Sequence, residues 1–234
     1  MDQQGGLRGE ASRRYFGQPG RDYFARQDKD GVWAARFNKF LFAPFISPTD
    51  DILDFGCGGG HLLNVLEART KIGIDINPIA RESVGQKGIK AYANLEALEE
   101  GLSFDRIITS HALEHVPCPY DILVGLRKLL RPQGALVWLS PMDDWRRRLH
   151  RSWQANDFDM HLYAWTPLTI GNLLVTAGYR PQSIEIITHA FPPRFSKQLW
   201  QIHPTLFHLI GRAWAMVSNR RQIRAVATLV AGHD

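Results

Sequence analysis

Apolar residues along this chain follow two rhythms. Short dense runs recur at DILDFG (51–56), KIGIDI (71–76), IKAYA (89–93), FDRIITS (104–110), ALVWLS (135–140) and PQSIEIITHA (181–190). Their length and bounding Gly, Pro and Asn residues predict buried strands. Helical stretches fall between them. One covers 60–68. A second is opened by Asn77 and Pro78 and closed by Gly88. A third runs from Pro119 to Leu130 with Leu123, Leu126 and Leu130 on one face, and a fourth is capped by Thr166, opened by Pro167 and ended by Gly178. Pro132, Gln133 and Gly134 read as a turn into the fifth strand. Asp30 to Ile46 precedes them all and sets Trp33, Phe37, Phe40 and Leu41 at helical spacing, a packing stripe.

Strands alternating with helices predict an α/β fold with a parallel sheet covered by helices on both faces. After the sixth strand, 192–219 holds Leu206, Phe207, Leu209, Ile210, Ala213, Trp214 and Val217 at helical spacing, and RQIRAVATLV (221–230) reads as a seventh strand. Residues 1–29 are expected to be flexible or partly helical, and 30–234 to form a single domain carrying a long connection at 141–166 and a helical insertion at 192–219.

The stretch ILDFGCGGGHL (52–62) places four glycines, at 56, 58, 59 and 60, between a strand and a helix. One or two would serve a tight turn. Four suggest a loop lying against a ligand, at the carboxyl end of a strand where such sheets bind ligands. A dinucleotide fingerprint G-x-G-x-x-G fails in both registers, since His61 or Leu63 falls where the last glycine belongs. Asp75 closes the second strand, where a ribose-binding carboxylate would sit, but any adenosine cofactor would use it.

Composition is that of an ordinary globular protein, 44% hydrophobic and 22% charged over 234 residues. There is no apolar run of membrane-spanning length, and the start MDQQGGLRGEASRR lacks the apolar core of a secretory signal. With two cysteines, Cys57 and Cys118, and the first inside the glycine loop, a reducing cytoplasmic setting is expected. The net charge of +5 is uneven: residues 1–140 hold 17 Lys+Arg and 17 Asp+Glu, residues 141–234 hold 11 and 6. Arg146, Arg147, Arg148 and Arg151, with Arg220, Arg221 and Arg224, carry much of the excess. An anionic acceptor, an anionic surface or plain solubility would each account for it.

The stretch Asp54-Phe55-Gly56-Cys57-Gly58-Gly59-Gly60 matches D-x-G-x-G-x-G, and with Asp75, FDRIITSHALEHV (104–116) and LLRPQGALVWLSP (129–141) it resembles the class I S-adenosylmethionine-dependent methyltransferases. Gln133 stands where that family has its first glycine. The resemblance covers roughly 30–190. It implies a Rossmann-like sheet of seven strands, mostly parallel in order 3-2-1-4-5-7-6 with only the last antiparallel, and S-adenosyl-L-methionine as cofactor. It further implies that Asp54 organises the loop and meets the ammonium end, and that Gly56, Cys57, Gly58 and Gly60 offer backbone. Asp75 would take the ribose hydroxyls, Ile76 would pack on adenine, Asn94 would meet its edge, and Ser110 and His111 would lie near the sulfonium. Within the family the chain is similar to bacterial enzymes of small-molecule, sugar and polysaccharide pathways. A hydroxyl of a sugar or related metabolite is the expected acceptor. An NAD(P)-dependent oxidoreductase and a methyltransferase acting on a quinone or lipid at a membrane surface are the alternatives. No stretch has room for a nucleic-acid-binding domain.

An oxygen acceptor needs a base, and His161 and His111 are the candidates. His111, Glu114 and His115 stand at i, i+3 and i+4. A divalent metal could use that set, but bracing of the loop by Glu114 and His115 is the simpler role, and no metal is expected. The 141–166 connection adds Asp143, Asp144, Trp145, Trp153, Tyr163 and Trp165, a mixture suited to a small, polar and perhaps anionic ring. Tyr163 and Trp165 would equally serve as a plug on the sheet edge. The 192–219 insertion would cap the acceptor, form a homodimer contact, or lie on a membrane surface.

Overall fold

A computed structural model of the chain describes residues 14–142, 152, 157, 160–192 and 195–230. It divides into two compact units, Met1–Ile108 and Thr109–Asp234. The strands form a seven-stranded sheet of order β3-β2-β1-β4-β5-β7-β6, the order expected above.

The first unit opens with α1 (Gly17–Phe42), followed by a short 3-10 turn (Ala43–Phe45). The helix starts at Gly17, within the segment expected to be flexible or partly helical. Phe37 and Leu41 are buried as the stripe predicts, but Phe40 is exposed. β1 (Asp51–Phe55), β2 (Thr70–Ile74) and β3 (Lys90–Tyr92) pair in parallel, Asp54 beside Gly73 and Ile74 beside Tyr92. The short α2 (His61–Val65) and α3 (Pro78–Gly85) connect them. Asn77 caps α3 by accepting from the Ile79 amide at 3.0 Å, as its place before Pro78 predicts. Ile52, Leu53, Leu63, Leu66, Val84 and Phe104 are fully buried or nearly so.

β4 (Phe104–Ser110) leads into the second unit. A 3-10 turn (Leu113–His115), α4 (Pro119–Leu129), β5 (Leu130–Pro141), α5 (Pro167–Thr176) and β6 (Tyr179–Ile187) follow. α6 (Ser196–Ile202), α7 (Pro204–Ser218) and β7 (Gln222–Leu229) complete it. The expected turn at Pro132–Gly134 is instead the extended start of β5, which meets β7 only from Ala135 onward. There Pro132, which has no amide hydrogen, costs no bond to β7. β7 is antiparallel to both β5 and β6, and a bulge at Pro181/Ser183 interrupts the β6 register. The helical insertion between β6 and β7 is present as two helices. Thr166 and Thr169 form a reciprocal capping box at α5. The core of this unit comprises Leu123, Leu126, Leu136, Val137, Trp138, Leu139, Leu174, Tyr179 and Phe207, with the Tyr179 hydroxyl donating to Leu123 O at 2.8 Å.

Candidate functional site

The first unit builds a cradle at the end of β1. After Phe55 the chain turns back on β2: the amides of Gly56 and Cys57 both donate to Ile74 O, at 2.8 and 3.0 Å. Three residues of the loop adopt left-handed backbone, Gly56 (φ 76°), Gly58 (φ 52°) and Gly60 (φ 72°), a conformation costly for any residue with a Cβ. Beyond that shared need, the glycines have different reasons. A Cβ on Gly60 would press on Val84 of α3 at 3.0 Å. One on Gly59 would meet Asp28 Oδ1 at 3.0 Å and Phe24 at 3.2 Å, both on α1. One on Gly58 would meet no protein atom within 4 Å. Packing alone thus demands small residues at 59 and 60, while Gly58 faces open space.

Asp75 braces the loop. Its Oδ2 accepts from the Gly58 amide and its Oδ1 from the Asn77 amide, both at 2.8 Å. Each oxygen keeps a further lone pair for a hydroxyl. Burial raises the Asp75 pKa above the usual carboxylate range, against the lowering effect of those two bonds and of Arg81. Asp54 is the more unusual group. It is 2% exposed, its Oδ1 has no hydrogen-bond partner, and burial, then the charge of Asp75, pushes its pKa to about 8. A buried carboxyl with an orphan oxygen fits a cationic ligand group. Ile76, just past β2, leaves its apolar side chain exposed beside Asp75. Cys57 is a buried free thiol whose pKa burial raises, with Asp54 and Asp75 adding to the effect; its sulfur occupies the space a Cβ on Gly73 would take, 2.6 Å away. Asn94 caps a local turn, accepting from the Ala97 amide at 2.9 Å.

Sequence reasoning missed the part α1 plays here. Asp28 Oδ1 lies 2.5 Å from His61 Nε2, Asn77 Nδ2 donates to Gly20 O at 2.9 Å, and Gly31 leaves room for the His61 ring. These contacts fasten the helix to the glycine loop and to the start of α3. The available signal was the small residues Gly20, Gly31 and Ala35 within a helical pattern.

In the second unit, Ser110 ends β4 and His111 takes a left-handed turn at φ 53°. The His111 amide donates to Leu139 O at 2.9 Å, its Nε2 lies 2.8 Å from Gln222 Oε1, and its Nδ1 lies 3.6 Å from Glu114 Oε1. Glu114 is fully buried. A chain of hydrogen bonds holds it: Trp138 Nε1 donates to Ser140 Oγ at 2.6 Å, which donates to Glu114 Oε2 at 3.0 Å. Burial alone would raise the Glu114 pKa, but His111 and then His115 hold it below its ordinary value. The Glu114 carbonyl accepts from the Leu162 amide at 2.8 Å, so the bracing expected of Glu114 is present. That bond brings His161 beside His115, their rings edge to face with centroids 4.8 Å apart. One ligand atom from each of Glu114, His115 and His161 falls within 4.8 Å of the others, a set able to share a proton or hold a cation. Tyr163 stacks on Trp165 and donates to Pro117 O at 2.7 Å, while Trp165 is buried edge-on against Trp138. Both aromatics serve as packing. Asp143, Asp144, Trp145, Trp153 and the cluster Arg146, Arg147, Arg148 and Arg151 lie outside the described residues.

Residues 24–184 match the family model described as "Methyltransferase domain". Among curated proteins, the ubiquinone biosynthesis O-methyltransferase of Roseobacter denitrificans is 34% identical over 117 residues, 44% of this chain and 46% of that protein. The corresponding protein of Caulobacter vibrioides is 34% identical over 130 residues, covering 48% and 45%. The chain spans about half the length of the curated relatives it matches. Among solved structures, a Haloferax volcanii methyltransferase in complex with its Trm112 activator superposes with a TM-score of 0.65 at 15% identity, covering 91% of this chain and 96% of that one. The N-methyltransferase NodS of Bradyrhizobium japonicum, solved with S-adenosylhomocysteine, gives 0.57 at 16%, covering 87% and 90%. These structures share the fold. With a family model matched over more than half its length, the chain belongs to the methyltransferase domain family.

Proposed function

We propose that this methyltransferase moves the methyl group of S-adenosylmethionine to a hydroxyl oxygen of a small ring-bearing acceptor, with His161 as general base. The observation that carries the reading is the edge-to-face pair of His161 and His115 beside the buried Glu114. A hydroxyl is a weak nucleophile until its proton is removed, and an imidazole does this near neutral pH. A ligand atom of Glu114 lies within 4.8 Å of one on each of the His115 and His161 imidazoles.

The bound donor supplies an electrophilic methyl carbon on a sulfonium. The chain's part is to hold that donor and to take the proton. Asp54 and Asp75 would meet the ammonium and the ribose, and the backbone around Gly58 the methionine carboxylate. Asn94 for the adenine edge, and Ser110 and His111 for the sulfonium end, are assignments from the family resemblance.

For the acceptor, the curated relatives' name favours a phenolic ring of the kind quinone synthesis uses, whereas the narrower resemblance favours a sugar hydroxyl. Turnover of a catechol and a hexose panel with labelled cofactor separates the two. His161→Ala should lower kcat by ~10²–10⁴ with cofactor affinity unchanged. The loss should shrink at high pH more steeply for a phenol, whose own ionisation lies near pH ~10. Full activity of His161→Ala across the pH range would overturn the base assignment and turn attention to His111.

A further inference from the structure

The insertion helix α7 has its polarity arranged the wrong way for a helix in water. Phe207, Gly211 and Ala215, one turn apart, face inward and are buried. A Cβ on Gly211 would come within 2.9 Å of Ala190 O, so that side is fully packed. The outward side should then carry charge. Instead it carries Leu209 at 60% exposure, Met216 at 65% and Val217 at 81%, with Leu206, Ile210 and Trp214 exposed beside them. Ile202, at the end of α6, adds another at 82%. Contiguous apolar surface of this kind marks a binding face.

Charge says what would cover it. From Ile186 through His233 the chain has no Asp or Glu, but has Arg194, Lys197, Arg212, Arg220, Arg221 and Arg224. Arg224 is engaged with Glu185 on the neighbouring strand, at 2.6 Å. Arg212 lies on α7 itself, and Arg220 and Arg221 follow its C-terminus. A second copy docking through the same face would set Arg212 of α7 against its own copy, in a segment whose sequence supplies no carboxylate. Anionic lipid headgroups answer the cationic residues directly, while the acyl boundary takes the leucines and Trp214 settles at the interface. No helix among the described residues is long and apolar enough to cross a membrane, so the contact is one of lying on the surface.

We propose that the outward face of α7, with Ile202, docks the enzyme on an anionic membrane surface. The proposal concerns where the enzyme works, and its test uses neither donor nor acceptor, so it stands or falls apart from the acceptor assignment. The test is co-flotation of the full chain with vesicles of phosphatidylcholine containing phosphatidylglycerol, against phosphatidylcholine alone. Binding should be strong only on the anionic vesicles and should weaken severalfold with added salt. The pair Leu209→Glu/Val217→Glu should reduce it by tenfold or more with melting temperature and S-adenosylhomocysteine affinity unchanged. The milder pair Leu209→Gln/Val217→Gln should give an intermediate loss. Equal binding to neutral vesicles, no binding at all, or wild-type binding by both pairs overturns the proposal. A lipid-free dimer in light scattering that the Glu pair makes monomeric also overturns it, assigning the face to a second copy.

Discussion

Asp54 is a carboxyl poised to give up a proton when the cofactor arrives. In the unliganded protein its pKa is about 8, raised first by burial and then by Asp75, and its Oδ1 has no partner. A cationic ammonium placed against it should return the pKa to the ordinary carboxylate range. Binding must then release a proton between the ordinary carboxylate range and about pH 8, and affinity must rise with pH across that window. With a folded pKa of about 8, the fraction ready to bind rises roughly ninefold between about pH 6 and pH 7, worth about 1.3 kcal/mol. This window lies below the ionisation of an α-amino group at ~8, so the ligand itself stays charged.

Titration calorimetry with S-adenosylhomocysteine, in buffers of different ionisation enthalpy, reads both quantities: the fall in Kd with pH and the protons released. Asp54→Asn should abolish both dependences. The stability sign is opposite. A carboxyl whose folded pKa is raised above its unfolded 3.8 contributes stability only below that value, and loses it as pH rises toward about 8. At neutral pH the unliganded wild type therefore carries a cost of at most about 4 kcal/mol that Asp54→Asn relieves. The variant should melt higher without ligand and bind more weakly. A Kd that is flat between these pH values, with no proton released, would refute the reasoning.

Three further outcomes separate ligand-facing from packing roles. Gly58→Ala should cost only the left-handed strain, about 1–2 kcal/mol, yet abolish cofactor binding, while Gly59→Ala and Gly60→Ala, which push on Phe24, Asp28 and Val84, should lose melting temperature first; calorimetry and thermal melts distinguish them. Ser140→Ala should cost about 1–3 kcal/mol for each group it leaves unpaired, Trp138 Nε1 and Glu114 Oε2, read as a shift in urea midpoint. His61→Ala should release α1 from the glycine loop, seen as faster hydrogen exchange across Gly17–Phe42 with β1 and β2 unchanged.

Elements and their order were legible in the sequence because they follow from short-range physics. The apolar run at 104–110 became β4 residue for residue, Asn77-Pro78 opened a helix, and 222–229 became a strand, since period, caps and proline act within a few residues of themselves. The glycine loop and Asp75 were legible for the same reason: motif and geometry are local. What depended on segments distant in sequence was not legible. Nothing near Gly59 reveals that Asp28 and Phe24 occupy the space of its missing Cβ, and nothing near Gly73 reveals Cys57. Asp54 reads like any acidic residue in a strand; only its burial beside Asp75 raises its pKa. The turn expected at Pro132–Gly134 is the extended start of β5, ahead of its pairing with β7 from Ala135. The apolar residues of α7 were countable from the chain, but periodicity could not say which of them face outward. Only the packing of Phe207, Gly211 and Ala215 decides that, by leaving Leu209, Met216 and Val217 exposed.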